Sequence, residues 1–92
     1  MKKTIQNKKY TGVWDDNVGL YRITRKKDNL QGGFIQRLLN LSEDGTCFIY
    51  DNAKVFDYAR ISGDVEVIDN VEISGDVEIC GDAKISGDAR IF

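Results

Sequence analysis

From Gly45 to Phe92 the chain repeats every six residues, as GTCFIY, DNAKVF, DYARIS, GDVEVI, DNVEIS, GDVEIC, GDAKIS and GDARIF. The eight blocks account for 48 of the 92 residues. Position three is Ala or Val in seven blocks and Cys47 in the first, and position five is always Ile or Val. Side chains alternate faces along a strand, so two apolar positions flanking an outward one describe a short strand with one buried face. Gly, Asp and Asn gather where the blocks open, and these residues tolerate the turns that change the chain's direction. A unit this short buries its apolar side only by stacking on its neighbours. The pattern predicts an all-β chain, a three-sided (left-handed) parallel β-helix behind an N-terminal β-hairpin cap.

The fourth position of each block tests the number of sides. In order it reads Phe48, Lys54, Arg60, Glu66, Glu72, Glu78, Lys84 and Arg90. Three strands per coil bring residues 18 apart into register, which sets Glu66 beside Lys84, Lys54 beside Glu72, Glu72 beside Arg90 and Arg60 beside Glu78. All four pairs are of opposite sign. Two strands per coil would set Glu66 against Glu78. Opposite charges on neighbouring strands stabilise by roughly 0.2–1 kcal/mol each, and like charges oppose pairing. The charges select three sides, and eight blocks then make about two and two-thirds coils.

Residues 45–92 are expected to form the helix and residues 1–44 its cap, as one compact domain near the lower size limit for a self-sufficient core. Charge divides unevenly between them. Residues 1–44 hold nine Lys/Arg and five Asp/Glu, and residues 45–92 hold four and ten. No apolar run approaches the roughly 20 residues of a membrane span. Lys2 and Lys3 are not followed by the apolar stretch of a secretion signal, so residence in the cytoplasm is expected (the host's, if phage-encoded). Cys47 holds an inward position and reads as a small buried hydrophobe. Cys80 holds an outward or corner position on a different side, so no disulfide between them is expected. Two cysteines are too few for a Cys-rich metal site.

Residues 1–44 do not repeat. Met1–Lys9 is polar and expected to fray at its start. Tyr10–Trp14 and Leu20–Ile23 alternate around the turn residues Asp15, Asp16 and Asn17, which predicts a hairpin. Residues 25–29 form a second exposed loop. Gly32 and Gly33 open a segment, Phe34–Leu39, that reads equally as strand or short helix. The segment is expected to cover the first coil, which would otherwise expose strand edges, with Trp14, Tyr21, Phe34 and Leu39 as its core.

The order Leu20-Tyr21-Arg22-Ile23, Gly32-Gly33-Phe34-Ile35, Asn40-Leu41-Ser42 and Ile49–Val55 resembles a family of prophage and bacterial hexapeptide-repeat proteins. Members join such an N-terminal segment to arrays of GDARV-like or GNAKV-like blocks, and some carry a transferase label. The resemblance covers roughly residues 18–92 and implies a β-helix and a frequent phage origin, without an assigned reaction. This chain has a much shorter array than the usual member.

The residues speak against a transferase. β-Helix acyltransferases resemble one another in using a histidine between subunits, a base suited to deprotonating an amine or hydroxyl, and this chain has no histidine. Glu72 as base would be held ionised between Lys54 and Arg90, and Cys80 as nucleophile lacks a partner base. No catalytic residue, cofactor or metal is therefore expected. Asp51, Asp57, Asp64, Asp69, Asp76, Asp82 and Asp88 recur at corners, where such side chains more often bond backbone amides than calcium. Asp64 and Asp82 would stack one coil apart. The basic run Arg22–Lys27 beside Tyr21 and Trp14 is a candidate phosphate contact, but reads first as a solvated loop. The acidic array invites comparison with a DNA mimic, although its outward charges neutralise one another.

The aromatics Phe48, Tyr50, Phe56, Tyr58 and Phe92 are expected outward or at corners, with Phe56 and Phe92 on one face flanking Ser74. Exposed apolar surface of this kind marks association. Two functional classes result. The first is a non-enzymatic binding protein that inhibits a host defence enzyme such as a nuclease, in the manner of an anti-CRISPR protein, through Arg25, Lys26, Lys27, Phe56, Tyr58 and Arg60. The second is an assembly module forming homo-oligomers, a dimer first of all, through Ile91, Phe92 and Phe56. An acyltransferase-like remnant is the distant third.

Overall fold

In a computed structural model, which describes residues 3–92, each block contributes one two-residue strand at its fourth and fifth positions. In order these are β5 (Phe48–Ile49), β6 (Lys54–Val55), β7 (Arg60–Ile61), β8 (Glu66–Val67), β9 (Glu72–Ile73), β10 (Glu78–Ile79), β11 (Lys84–Ile85) and β12 (Arg90–Ile91). Parallel pairing sets Phe48 against Glu66, Lys54 against Glu72, Arg60 against Glu78, Glu66 against Lys84 and Glu72 against Arg90. That is the 18-residue register of a three-sided solenoid. Three of the four opposite-sign neighbours close to ion pairs, Lys84–Glu66 at 3.6 Å, Arg90–Glu72 at 3.4 Å and Arg60–Glu78 at 4.0 Å. Lys54 instead leans toward the Phe34 ring, at 5.8 Å.

The corners carry the backbone strain. The opening residue of every block has positive φ: Gly45, Asp51, Asp57, Gly63, Asp69, Gly75, Gly81 and Gly87. At the corner formed by Gly45 and Gly63 there is no alternative to glycine, because a Cβ on Gly45 would strike the Gly63 carbonyl. The left-handed conformation costs a non-glycine residue roughly 1–2 kcal/mol. Each of the three aspartates at these positions offsets that cost in one way. Its carboxylate accepts the N–H of the opening residue one coil on, Asp51 from Asp69 at 3.1 Å, Asp57 from Gly75 at 3.2 Å and Asp69 from Gly87 at 2.9 Å. The bonded amide is 18 residues away, where sequence reasoning placed it nearby.

The N-terminal segment is an antiparallel meander, β1 (Thr4–Gln6), β2 (Tyr10–Asp15), β3 (Leu20–Arg25) and β4 (Leu30–Ile35). Thr4–Gln6 is ordered as a strand, and the start of Met1–Lys9, where fraying is expected, lies outside the described residues at Met1 and Lys2. The β2–β3 hairpin closes as predicted, with the Asp15 carboxylate accepting the N–H groups of Asn17 and Val18. Gly32 and Gly33 lie inside β4 because it crosses the first coil closely; side chains there would strike the carbonyls of Ile49 and Ala53. Phe34–Leu39 divides between the two forms its sequence allowed, ending β4 and then entering a single 3-10 turn, Leu38–Asn40.

β4 pairs in parallel with β6, and Leu41 bridges to Ile61. Rungs therefore begin ahead of Gly45, where the six-residue period begins. Three faces result: face I with β4, β6, β9 and β12, face II with Leu41, β7 and β10, and face III with β5, β8 and β11. Face I continues through the meander as one seven-stranded sheet. The third and fifth positions from Cys47 to Ile73 are 0–1% exposed and form the core, joined from the cap by Tyr10, Ile23, Ile35 and Leu41.

Two burial expectations are corrected. Trp14 and Tyr21 are only half-buried, edge to face at 5.1 Å, and Leu39 is 40% exposed; of the expected cap core only Phe34 is buried, and Tyr10 and Ile23 take the central places. Phe48, expected outward, is fully buried, because Gly32 and the Arg25 guanidinium lie against its ring.

Candidate binding surface

A groove runs along face II. It encloses about 600 Å3 between the 3-10 turn and strands β7 and β10. Leu41 and Ile61 are its buried floor, while Leu38 and Leu39 stand on its edge, 39% and 40% exposed. Arg60 and Glu78 face each other across β7 and β10, and the free thiol of Cys80 lines the far end. An apolar centre with charged groups around it is the anatomy of a protein contact.

Two consecutive leucines in a segment too short for a helix cannot both enter one core. What keeps both outside is Asn40. Its side chain is fully buried, and it uses both of its polar atoms twice. Oδ1 accepts the N–H groups of Gln36 and Arg37, each at 2.9 Å, and Nδ2 donates to the carbonyls of Ala59 at 2.8 Å and Asp57 at 3.2 Å. This ties the 3-10 turn to the corner that carries Tyr58. From below, the buried Tyr10 hydroxyl donates to the Leu41 carbonyl at 2.6 Å, with the Leu38 carbonyl at 3.2 Å. Burial pushes the Tyr10 phenol up to about 12, so it remains a donor at any physiological pH.

Of the residues singled out in the sequence, Arg60 lines this groove. Tyr58, 58% exposed, stands at the adjoining corner with the Arg37 guanidinium over its ring at 4.6 Å. The Arg37 Nε is buried without a hydrogen-bond partner among the described residues. Phe56 faces a separate hollow of about 210 Å3 on face I, where it and Phe92 flank Ser74 as expected. Phe92 is 88% exposed and Ile91, paired with Ile73, is half-buried.

The basic group lies elsewhere, over face III. Arg25 is spent internally: it forms a two-pronged pair with Asp28 and a 3.2 Å bond to the Tyr50 hydroxyl, and stacks on Phe48. That pair holds the Asp28 carboxyl down at about 2. Lys26 donates to Gln6, and Lys27 lines a cleft together with Arg25. The six expected contact residues therefore occupy three surfaces. Leu38 and Leu39 escaped the sequence reading; the signal for them was a Leu-Leu pair running straight into Asn, a residue that makes turns.

Asp64, which stacks over Asp82, has its carboxylate taken up by the Thr46 hydroxyl at 2.7 Å and the Thr46 N–H at 3.2 Å, and these bonds hold its pKa below the ordinary range. Among the described residues no three His, Cys, Asp or Glu side chains converge as metal ligands, and no helix is long and apolar enough to cross a membrane. No family model, no curated protein and no solved structure matches the chain.

Proposed function

We propose that this chain is a non-enzymatic binding protein that occupies the surface of a larger protein through face II and the corner above it. The observation that supports this most is the pair Leu38–Leu39, held in the open by an asparagine whose hydrogen bonds are all made. Rigid presentation lowers the ordering cost of association, and the neighbouring Tyr58, Arg37 and Arg60 are of the types that dominate binding energy. A contact of standard size takes about 800 Å2 from each partner, roughly one-seventh of this chain's 5377 Å2.

The partner class is a nuclease or other defence effector of a bacterial host, inhibited sterically in the manner of an anti-CRISPR protein; the resemblance of the repeat to prophage proteins supports that choice. The test is capture of a partner from host lysate by the tagged chain, followed by an assay of the partner's cleavage activity. A stoichiometric nuclease is expected, blocked by the wild-type chain and released by Leu39→Glu at unchanged thermal stability. Recovery of the chain alone as a defined oligomer overturns the reading.

That outcome would favour a second reading, an assembly module. Its support is the exposed Phe92 beside the half-buried Phe56 on face I. Under it, mass rises with concentration in sedimentation, and Phe92→Asp abolishes the rise while Leu39→Glu does not.

A further inference from the structure

Folding gathers four cationic side chains beside the first corner of the solenoid. Lys8 and Lys9 come from the loop between β1 and β2, and Arg25 and Lys27 from the end of β3 and the loop after it. With Thr46 and Glu43 they line a cleft of about 290 Å3. Two of the four are occupied. The Lys9 ammonium donates to the Ser42 carbonyl at 3.2 Å and reaches the Cys47 sulfur at 3.3 Å. Arg25 is held by Asp28 at 2.8 Å. The ammonium groups of Lys8 and Lys27 make no hydrogen bond or ion pair among the described residues.

No carboxylate nearby forms an ion pair with either ammonium among the described residues. Glu43, the one acid lining the cleft, has an oxygen taken by the Lys8 backbone N–H at 2.9 Å. Asp28 is committed to Arg25, and Asp64 to Thr46. Asp28 and the Ser42 carbonyl thus satisfy the donors of Arg25 and Lys9 at the back of the cleft. At its mouth two free ammonium groups stand in a field that favours a further negative charge.

We infer that this cleft binds one small oxyanion of the phosphate type, clamped by Lys8 and Lys27 in front of Lys9 and Arg25. A compact cluster suits one phosphate group, free or at the end of a nucleotide. Nucleic-acid backbone needs a row of cations, because its affinity grows with each phosphate neutralised. This site is independent of the face II groove.

The test follows backbone amide resonances of the 92-residue chain while inorganic phosphate replaces chloride at constant ionic strength, which removes general screening. Saturable shifts confined to Lys8, Lys9, Gly45, Thr46 and the Lys26–Asp28 loop are expected. The double variant Lys8→Gln/Lys27→Gln should bind phosphate about tenfold more weakly or worse, because each lost clamp was a charge-assisted bond. It should fold normally, since neither ammonium is bonded. Shifts that never saturate, or that appear equally at Lys54 and Lys84, overturn the site. So does saturable binding that survives in the double variant. Binding of a single-stranded oligonucleotide with no response to phosphate overturns the single anion in favour of a polymer surface.

Discussion

The solenoid and its cap meet one requirement, that buried polar groups be paired, in opposite ways. In the solenoid a solution is found once and copied every 18 residues. Amide after amide, from Cys47 to Ser74, donates to a carbonyl of the next coil, and three corner aspartates repeat one bond. In the cap each solution is found once. Asn40 ties the 3-10 turn to the carbonyls of Asp57 and Ala59, and among the described residues Tyr10 alone donates to the Leu41 carbonyl. Translation makes the array redundant, so the loss of one copy leaves its neighbours intact. The cap has no spare. A ranking of substitutions follows from that difference, with singular contacts above repeated ones.

Asn40→Ala should have the largest effect. It orphans two amides and two carbonyls at once. Water reaches Gln36, so the buried Ala59 carbonyl dominates. With each buried orphan costing about 1–3 kcal/mol, the loss should total about 3 kcal/mol, or roughly 15 °C in melting temperature for a chain of this size. A drop of a few degrees only would show that the turn holds itself. The proposed partner binding through Leu38 and Leu39 should fall along with it, even at temperatures where the variant is fully folded.

Tyr10→Phe comes next, at about 1–2 kcal/mol for the carbonyl left without its donor. Tyr10 also gives the chain an alkaline limit. Its phenol titrates at 10.0 when free and is pushed up to about 12 by burial in the fold. A raised value means that the folded state holds the proton more tightly, so the contribution is complete below pH 10 and is lost as pH rises toward 12. Stability measured by denaturant from pH 9 to 12 should fall for the wild type. It should fall less for Tyr10→Phe.

The same difference decides what could be read in the sequence. The three-sided register was legible because it rests on local alternation and on charges that recur at 18 residues, such as Glu66 and Lys84. Even the positive-φ corners announced themselves, as Gly or Asp at the head of every block. The cap was legible only where its pairing is local, in the Asp15–Val18 turn. Tyr10 looked like any strand residue, since its partner Leu41 lies 31 residues away. Leu39 looked like core because nothing nearby in sequence tells of Asn40's bonds to Asp57 and Ala59. Phe48 looked exposed because its cover, Gly32 and Arg25, comes from strands whose path over the first coil has no periodicity. Arg25 read as a free surface charge for a related reason, since its Asp28 partner is local but Tyr50 and Phe48 are not.

A repeated contact should cost less, and Asp69 sets the scale. Asp69→Ala removes the acceptor of the Gly87 amide and leaves a β-carbon in the left-handed region, for about 1 kcal/mol or somewhat more. Asp69→Gly removes the same acceptor but relieves the backbone. If the two variants melt together, the carboxylate bond is the larger part of the corner's stability; if glycine is clearly the more stable, strain is.

The smallest effect belongs to the outward charges. Glu66 lies between Phe48 and Lys84 on face III, and its ion pair with Lys84 at 3.6 Å is open to water on both sides. Exposed pairs contribute about 0.2–1 kcal/mol and are screened by salt, so Glu66→Lys should lower stability by about 0.5–1 kcal/mol at low ionic strength and by less in molar salt. Restoring opposite signs with Lys84→Glu in the same chain should return the stability. A double variant that recovers nothing would mean that the charges select the register during folding without holding it afterwards, and that translation of the backbone bonds alone keeps the coils stacked.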